Sequence, residues 1–446
     1  MIARPWTDDL QKCPHTCVGQ YISRIGMNSE NDDYLCFYGQ LEDSSPCLYG
    51  VFEPHNGVEA ARFIMQRMAV EILFGQITAE SSDEEIRDIL RNAFVAVEKA
   101  YIENYDGMIA ERTSLQYSLQ TLSESQGPKS RDSILARLKE IDQQLSAGAT
   151  AVVALVHNSK LFVANVGEAR ALLCRTDENS VLRVVQLSVD HSLKNEDELL
   201  RLRQLGLDIK KLRNAQYLGN QSGTRCLGNY LVKGLYGAFP TLRGAAAEPV
   251  RAAAELAPPV PLSSQDRFLV LVSSGVYKRI QEVKGNSEQT NKHLAQIIVE
   301  NFRKQTDFKK LSQSVLTEIE DEFNTYCMNN NLTPKPTHMG LLIRNFNFPL
   351  PNQKETLTQS EKNQVTKQNA VRFNPIVQSK STTLLNESDS LDDEVCTESS
   401  QEKSEIDNGN RRADPNRRIK GYVDFSCYYE NVEKARKNGT LPSFIK

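Results

Sequence analysis

The chain has 446 residues, 39% hydrophobic and 25% charged, with 53 Lys and Arg against 57 Asp and Glu for a net charge of −4. At ~100–200 residues per domain, that length holds two or three domains, or one large domain with a tail. The charge balance argues against nucleic acid as the partner, and the longest apolar runs, residues 151–156 and 268–272, fall far short of the ~20 residues of a membrane span.

The N-terminus, MIARPWTDD, lacks the apolar stretch of a signal peptide, and nine cysteines is an odd number. Both features predict a cytoplasmic chain with reduced thiols. Cys13, His15 and Cys17 lie close in sequence, but zinc takes four ligands and no second compact Cys/His cluster completes the set. They read as an incidental group.

Residues 59–74 are predicted as a helix: Ala61, Ile64, Met65, Met68 and Ile72 recur at helical spacing, and Gly75 follows as a stop. Residues 83–109 repeat the pattern with Ile86, Leu90, Phe94 and Val97, and residues 133–145 with Ile134, Leu135, Leu138 and Ile141. Strands are predicted at 150–156 and 161–166 around a turn at 157–160, then at 169–174, 181–187 and 268–273. One long helical stretch is predicted at 291–326 and a last strand at 340–345. Antiparallel strands in runs, with helices in separate blocks, argue for an α+β layered domain rather than a wound parallel sheet.

The composition breaks near Phe348. Residues 348–416 are rich in Ser, Thr, Asn, Gln and Glu and predict a disordered linker, too poor in apolar surface to offset its ordering entropy. Limited proteolysis of the full chain is expected to cut first within 350–416. Protection of that whole span would overturn the linker reading. Residues 417–446 differ again. Asp424 can cap a helix whose Phe425, Tyr428, Tyr429 and Val432 share one face, with Lys434, Arg436 and Lys437 near its end and Gly439 after it. Such a short helix is marginal alone in water, so its aromatic face needs a groove, on a partner or on the chain's own first domain.

Several motifs in one order carry a resemblance. VFEPHNG at 51–57 with EAARF at 59–63, GATA at 148–151, VANVGEAR at 163–170, SVDH at 188–191 with NEDE at 195–198, SGTRCLGN at 222–229, AEPV at 247–250, LVSSGVY at 271–277 and THMG at 337–340 resemble the motif series of PPM-type, metal-dependent Ser/Thr phosphatases. The likeness covers residues 15–347 and implies a β-sandwich of antiparallel sheets flanked by helix pairs, a PPM-type phosphatase-like domain at 1–347.

In such enzymes two Mg²⁺ or Mn²⁺ ions activate a water, and anionic carboxylates balance their charge. At the positions matching the three metal-anchoring aspartates stand Glu53, Ser274 and Thr337, with Pro54 beside the first. The Asp of the S-R-A-x-G-D motif is Asn229, and the last Asp of D-G-x-W-D is Lys278. The acidic pair after the first strand is Asn31 and Asp32, and Met27 stands where the phosphate-gripping arginine belongs, with Arg24 out of register. Each close charge pair lost is worth ~1 kcal/mol in water and ~4 kcal/mol at an effective dielectric of 20. The resemblance therefore implies a pseudophosphatase, with no metal and no cofactor. The turn glycines Gly57, Gly148, Gly167 and Gly228 preserve the fold, and His55 reads as a hydrogen-bonded loop histidine.

With the tail included, the chain resembles the activator subunits that bind TGF-β-activated kinase. PWTDDL at 5–10 and NEDELLRLRQLGLD at 195–208 add to that likeness. It implies a signalling adaptor whose C-terminal helix binds a MAP kinase kinase kinase of that type and promotes its autophosphorylation, within a MAP kinase cascade of innate immune signalling. The contact residues carried over are Tyr422, Val423, Phe425, Tyr428 and Tyr429; Cys427 departs from an acid at its position. The linker segment VRFNPIV at 371–377 is a candidate dock for a stress-activated MAP kinase. Two alternatives stand beside this reading. One is an active metal-dependent phosphatase with Glu53, Asp32 and Asp190 rebuilding the site. The other is a reader of phosphoproteins without a kinase partner.

Overall fold

The computed structural model describes residues 15–21, 36–39, 46–74, 77–121, 128–179, 181–285, 287–304 and 307–346. The chain divides into two units, Met1–Val377 and Gln378–Lys446, and every described residue lies in the first. Positions 24–32, the linker at 348–416 and the tail residues Tyr422 to Tyr429 lie outside the described residues.

Among the described residues, twelve strands build two antiparallel sheets. One holds β1 (Thr16–Tyr21), β12 (Met339–Asn345), β11 (Asp266–Val272), β6 (Arg170–Thr176) and β7 (Leu182–Gln186), in that order. The other runs β10 (Val260–Pro261), β5 (Lys160–Val166), β4 (Gly148–His157), β3 (Cys47–His55), β2 (Cys36–Gly39), with β8 (Leu227–Gly228) on β4 and β9 (Glu255–Leu256) on β5. The expected hairpin joins β4 to β5. Its turn residues Asn158 and Ser159 both have positive φ, which matches the right-handed twist of the flanking strands.

Both faces of the central strands β3, β4, β5, β11 and β12 are largely buried, so these strands read as near-continuous apolar runs. Tyr49, Val51, Val152, Val163, Leu173, Leu269, Leu271 and Leu342 fill the space between the sheets. The outward side of the β3–β4–β5 sheet buries Phe52, Val153 and Phe162 against α1 (Val58–Leu73) and α2 (Asp83–Glu103). Ile64, Met68 and Ile72 of α1 meet Ile86, Leu90 and Phe94 of α2, the stripes read from the sequence. Ser82 and Glu85 close the start of α2 with a reciprocal capping box.

Two long predicted helices are each broken in two. The stretch 83–109 ends α2 at Asn104, its C-cap, and restarts as α3 (Asp106–Thr121). α3 packs on α4 (Pro128–Leu145) through ion pairs, Arg112 to Asp142 at 2.6 Å and Arg137 to Glu111 at 2.7 Å, instead of an apolar stripe. That is why period alone did not reveal it. After the short α5 (Glu196–Gln204) and α6 (Ile209–Arg213), helix α7 (Ser274–Lys284) begins directly where β11 ends. The stretch 291–326 then forms α8 (Ser287–Lys304) and α9 (Leu311–Asn329), separated by a turn at Phe308–Lys310 in which the Asp307 side chain accepts from the Lys309 N–H. α7, α8 and α9 cover the outward side of the β11–β12 sheet. Cys17 is part of that core, its Sγ 3.0 Å from Ser312 Oγ on α9.

Candidate functional site

Glu53 lies near the end of β3, and Ser274 is the first residue of α7, so the two belong to opposite sheets. The first N–H groups of a helix have no partner within it. The N-cap residue of α7, Ser273, does not supply one, because its hydroxyl accepts instead from Gly340 N at 2.9 Å. Glu53 fills the gap. Its carboxylate accepts from the Ser274 N–H at 3.0 Å and from the Ser274 hydroxyl at 2.8 Å, an anion at the positive end of a helix. Burial pushes this carboxyl above the usual range, with the Ser274 N–H and Lys278 working against it.

One turn along α7, Lys278 Nζ donates to Glu168 at 2.8 Å. Burial is the largest influence and opposes the ammonium charge, but Glu168, Glu53 and Asp190 together outweigh it and raise the lysine pKa. Glu168 stands in the turn between β5 and β6. Gly167 there has φ +90, and a Cβ on it would lie 2.3 Å from Thr150 Cγ2, so only glycine serves. Gly275 has a second constraint: a Cβ would lie 2.0 Å from the His338 carbonyl, which holds residues 337–338 tight against α7. Thr337, half-buried, donates from its hydroxyl to Lys335 O at 3.4 Å.

Arg170 makes a two-pronged pair with Asp190 at 3.0 and 2.5 Å, donates to Asn291 at 2.8 Å, and lies 3.7 Å above the Tyr277 ring. Asp190 also accepts from Gln186 at 3.0 Å. The carboxylate that an active site would have to recruit is thus already held. Asn229 is fully buried and donates to Gln221 at 2.7 Å and Asn220 at 3.0 Å, shaping its own loop.

A cavity of about 210 Å³ opens at this edge, with Glu53, His55, Thr150, Glu168, Arg225 and Ser274 on its wall. His55 departs from expectation. It ends β3 instead of sitting in a loop, and its buried Nε2 has no hydrogen-bond partner. Burial, aided by Lys233, brings its pKa down to about 4 and keeps it neutral. Behind the wall, Glu198 is buried among Arg225, Arg201 and Thr224. Burial opposes its charge, yet their hydrogen bonds prevail and pull the carboxyl down to about 2.

These residues do not fit a pair of divalent ions. Glu53 is turned to α7, Glu168 carries an ammonium, and Ser274 and Thr337 are neutral. Among the described residues no group of three or more His, Cys, Asp or Glu is arranged to hold a metal ion. The motif order located this site; the pairing of Glu168 with Lys278, 110 residues apart, had no signal in the sequence. The Glu198–Arg225 cluster had no short-range signal.

The sequence profile described as protein phosphatase 2C matches residues 23–321. This chain belongs to the protein phosphatase 2C family. Among protein phosphatase 2C relatives, a probable protein phosphatase 2C 27 from rice (Oryza sativa subsp. japonica) is 26% identical over 279 residues, covering 61% of this chain and 60% of the relative. A Caenorhabditis elegans protein named TGF-beta-activated kinase 1 and MAP3K7-binding protein 1 is 26% identical over 263 residues, covering 57% of this chain and 60% of its own length. The chain thus spans about three fifths of these two relatives. The crystal structure of a Toxoplasma gondii serine-threonine phosphatase 2C covers 74% of this chain and 95% of that one, at 12% identity and a TM-score of 0.47. No helix among the described residues is long and apolar enough to cross a membrane.

Proposed function

We propose that this chain is a non-catalytic, cytoplasmic member of its family, an adaptor that binds and activates a MAP kinase kinase kinase of the TGF-β-activated kinase type. The observation that carries the non-catalytic half is the Glu53 carboxylate bound to both the N–H and the hydroxyl of Ser274. Two positions that anchor metal in the enzymes are here bonded to each other. The kinase half is supported by the name of the nematode relative and by the aromatic face of Tyr422, Val423, Phe425, Tyr428 and Tyr429 in the tail. The linker segment 371–377 is proposed as a dock for a stress-activated MAP kinase.

The test is a phosphopeptide hydrolysis assay on the full chain with saturating Mn²⁺. No turnover is expected, and Ser274→Asp alone does not restore it, because Thr337 and Lys278 remain. Turnover in the ordinary enzyme range of ~1–10³ s⁻¹ would overturn the proposal. The opposite reading, an active phosphatase, is favoured by the rice relative and several Paramecium relatives, all named as probable phosphatases. The same assay decides it.

A further inference from the structure

We infer that β7 is a dimerisation edge: two copies of this chain pair antiparallel through Leu182–Gln186 and join their five-stranded sheets into one continuous sheet.

The ladder on the inner side of β7 fixes what faces outward. Among the described strands, β7 is bonded to β6 alone and ends its sheet. Leu187 N–H donates to Ala171 O at 2.8 Å, and Asp177 N–H donates to Val181 O at 3.0 Å. With the observed register, the backbone groups of Val181, Arg183, Val185 and Leu187 are therefore the ones turned to β6. Alternation along the strand turns the N–H and C=O groups of Leu182, Val184 and Gln186 to the open side, where no described residue bonds them.

The strand is held in place while this row stays unpaired. Leu182 and Val184 pack on the core beneath α7, α8 and α9, and the Gln186 side chain accepts from Asn291 of α8 at 2.9 Å. The other row adds apolar surface: Val181 is 48% and Val185 40% exposed. Edge strands are commonly blunted by charge, and the one charged residue of β7 is Arg183. Its guanidinium is already held by Asp177 at 3.0 Å, so it does not stand free at the edge.

The sequence of the strand favours a second copy as the occupant. Outward groups must meet outward groups, so antiparallel self-pairing can centre on residue 183, 184 or 185. Centring on 183 sets Arg183 directly opposite Arg183 of the second copy, and like charges so placed destabilise a sheet. Centring on 185 leaves Leu182 opposite Ser188, beyond the strand. Centring on 184 uses all of the row: Val184 meets Val184, Leu182 meets Gln186, and each pair exchanges both its N–H···O bonds. It also lays the aliphatic stem of Arg183 on Val185 of the second copy. Five residues a side make a small interface, so the dimer is weak and concentration-dependent.

The experiment is analytical ultracentrifugation of the full chain from ~5 to ~500 µM, a range that brackets a weak dimer. Wild type should pass from the mass of one chain toward that of two. Val184→Pro removes the central outward N–H and spares the β6 ladder, because proline is tolerated on an edge whose N–H faces solvent. It should raise the dissociation constant at least about tenfold. Val185→Lys sets a like charge opposite Arg183 of the second copy and should weaken the dimer about threefold or more, whereas Val185→Glu sets an opposite charge there and should tighten it by a similar factor. A melting temperature for each variant establishes that it is folded. Should Val184→Pro unfold, the two Val185 variants decide. A chain that stays monomeric throughout overturns the inference and leaves the edge to a strand of another protein. A dimer that ignores Val184→Pro, or that moves in the same direction with either charge at position 185, overturns it as well.

Discussion

Phe425→Ala is expected to abolish kinase activation by the tail, with a loss of at least ~2 kcal/mol in binding, about thirtyfold in affinity. In the helix expected from the sequence, Phe425 directly follows Asp424 as the cap and opens the apolar face that continues with Tyr428, Tyr429 and Val432. A side chain in the first helical turn is oriented as soon as the cap forms, so its ring enters the groove with little freedom left to lose. Helix-in-groove contacts draw most of their free energy from a few such buried aromatics. At about 3.6 residues per turn Glu430 falls on the far side of that helix, and Glu430→Ala should change little. The measurement is kinase autophosphorylation on adding peptide 417–437, in wild-type and substituted forms. Equal activation by the wild-type and Phe425→Ala peptides, or none by either, would return the function to the phosphatase-like domain.

Glu198→Ala should destabilise that domain by ~3–5 kcal/mol, the usual result of removing one partner of a buried ion pair. Glu198 is 2% exposed and accepts from Arg225 at 3.0 and 2.6 Å, Arg201 at 3.2 and 2.9 Å and Thr224 at 2.7 Å. Arg225, itself buried, would keep only Ala253 O and the half-exposed Glu255. The pH profile adds a signature. A carboxyl lowered to about 2 contributes stability that is fully present above its ordinary value of 4.5 and is lost as pH falls through about 2. His191, lowered to about 3 first by burial and then by Arg225, and His55, lowered to about 4, act in the same direction. The unfolded chain binds their protons below 6.5 while the folded one does not, so stability declines from there as acid is added. Urea unfolding at several pH values should show the decline in wild type, and Glu198→Ala should lose less stability than wild type below about pH 4.5, where the histidines still contribute. A loss under ~1 kcal/mol at neutral pH would mean that the arginines find other partners.

What the sequence revealed followed the range of each interaction. The β4–β5 hairpin was legible because its apolar runs and its turn adjoin, and α1 and α2 because their stripes are local. β1 left no pattern: it carries Gly19 and Gln20, and its partner β12 pairs Thr16 with Arg344 at the far end of the domain. α3 escaped because paired charges hold it to α4. At the site, motif order put Glu53, Ser274, Thr337 and Lys278 in one place. Their pairings were not legible, since Glu53 and Ser274 are 221 residues apart and Glu168 and Lys278 are 110 apart. The replaced charges could be read in advance, whereas the bonds that use them depend on how the two sheets meet.

The bond between Glu53 and Ser274 also bears on ancestry and reversal. An aspartate returned to position 274 alone would set a second carboxylate against Glu53, with like charges forced together at the start of α7. It would also remove the hydroxyl that Glu53 now accepts from. The first step toward a metal centre is thus harmful by itself, and becomes useful only after Lys278 and Thr337 have changed too. Substitutions coupled in this way have effects that do not add. On the non-catalytic reading proposed above, a lineage that crosses such a point meets a ratchet: the scaffold stays free to vary, while a path to hydrolysis requires several changes at once.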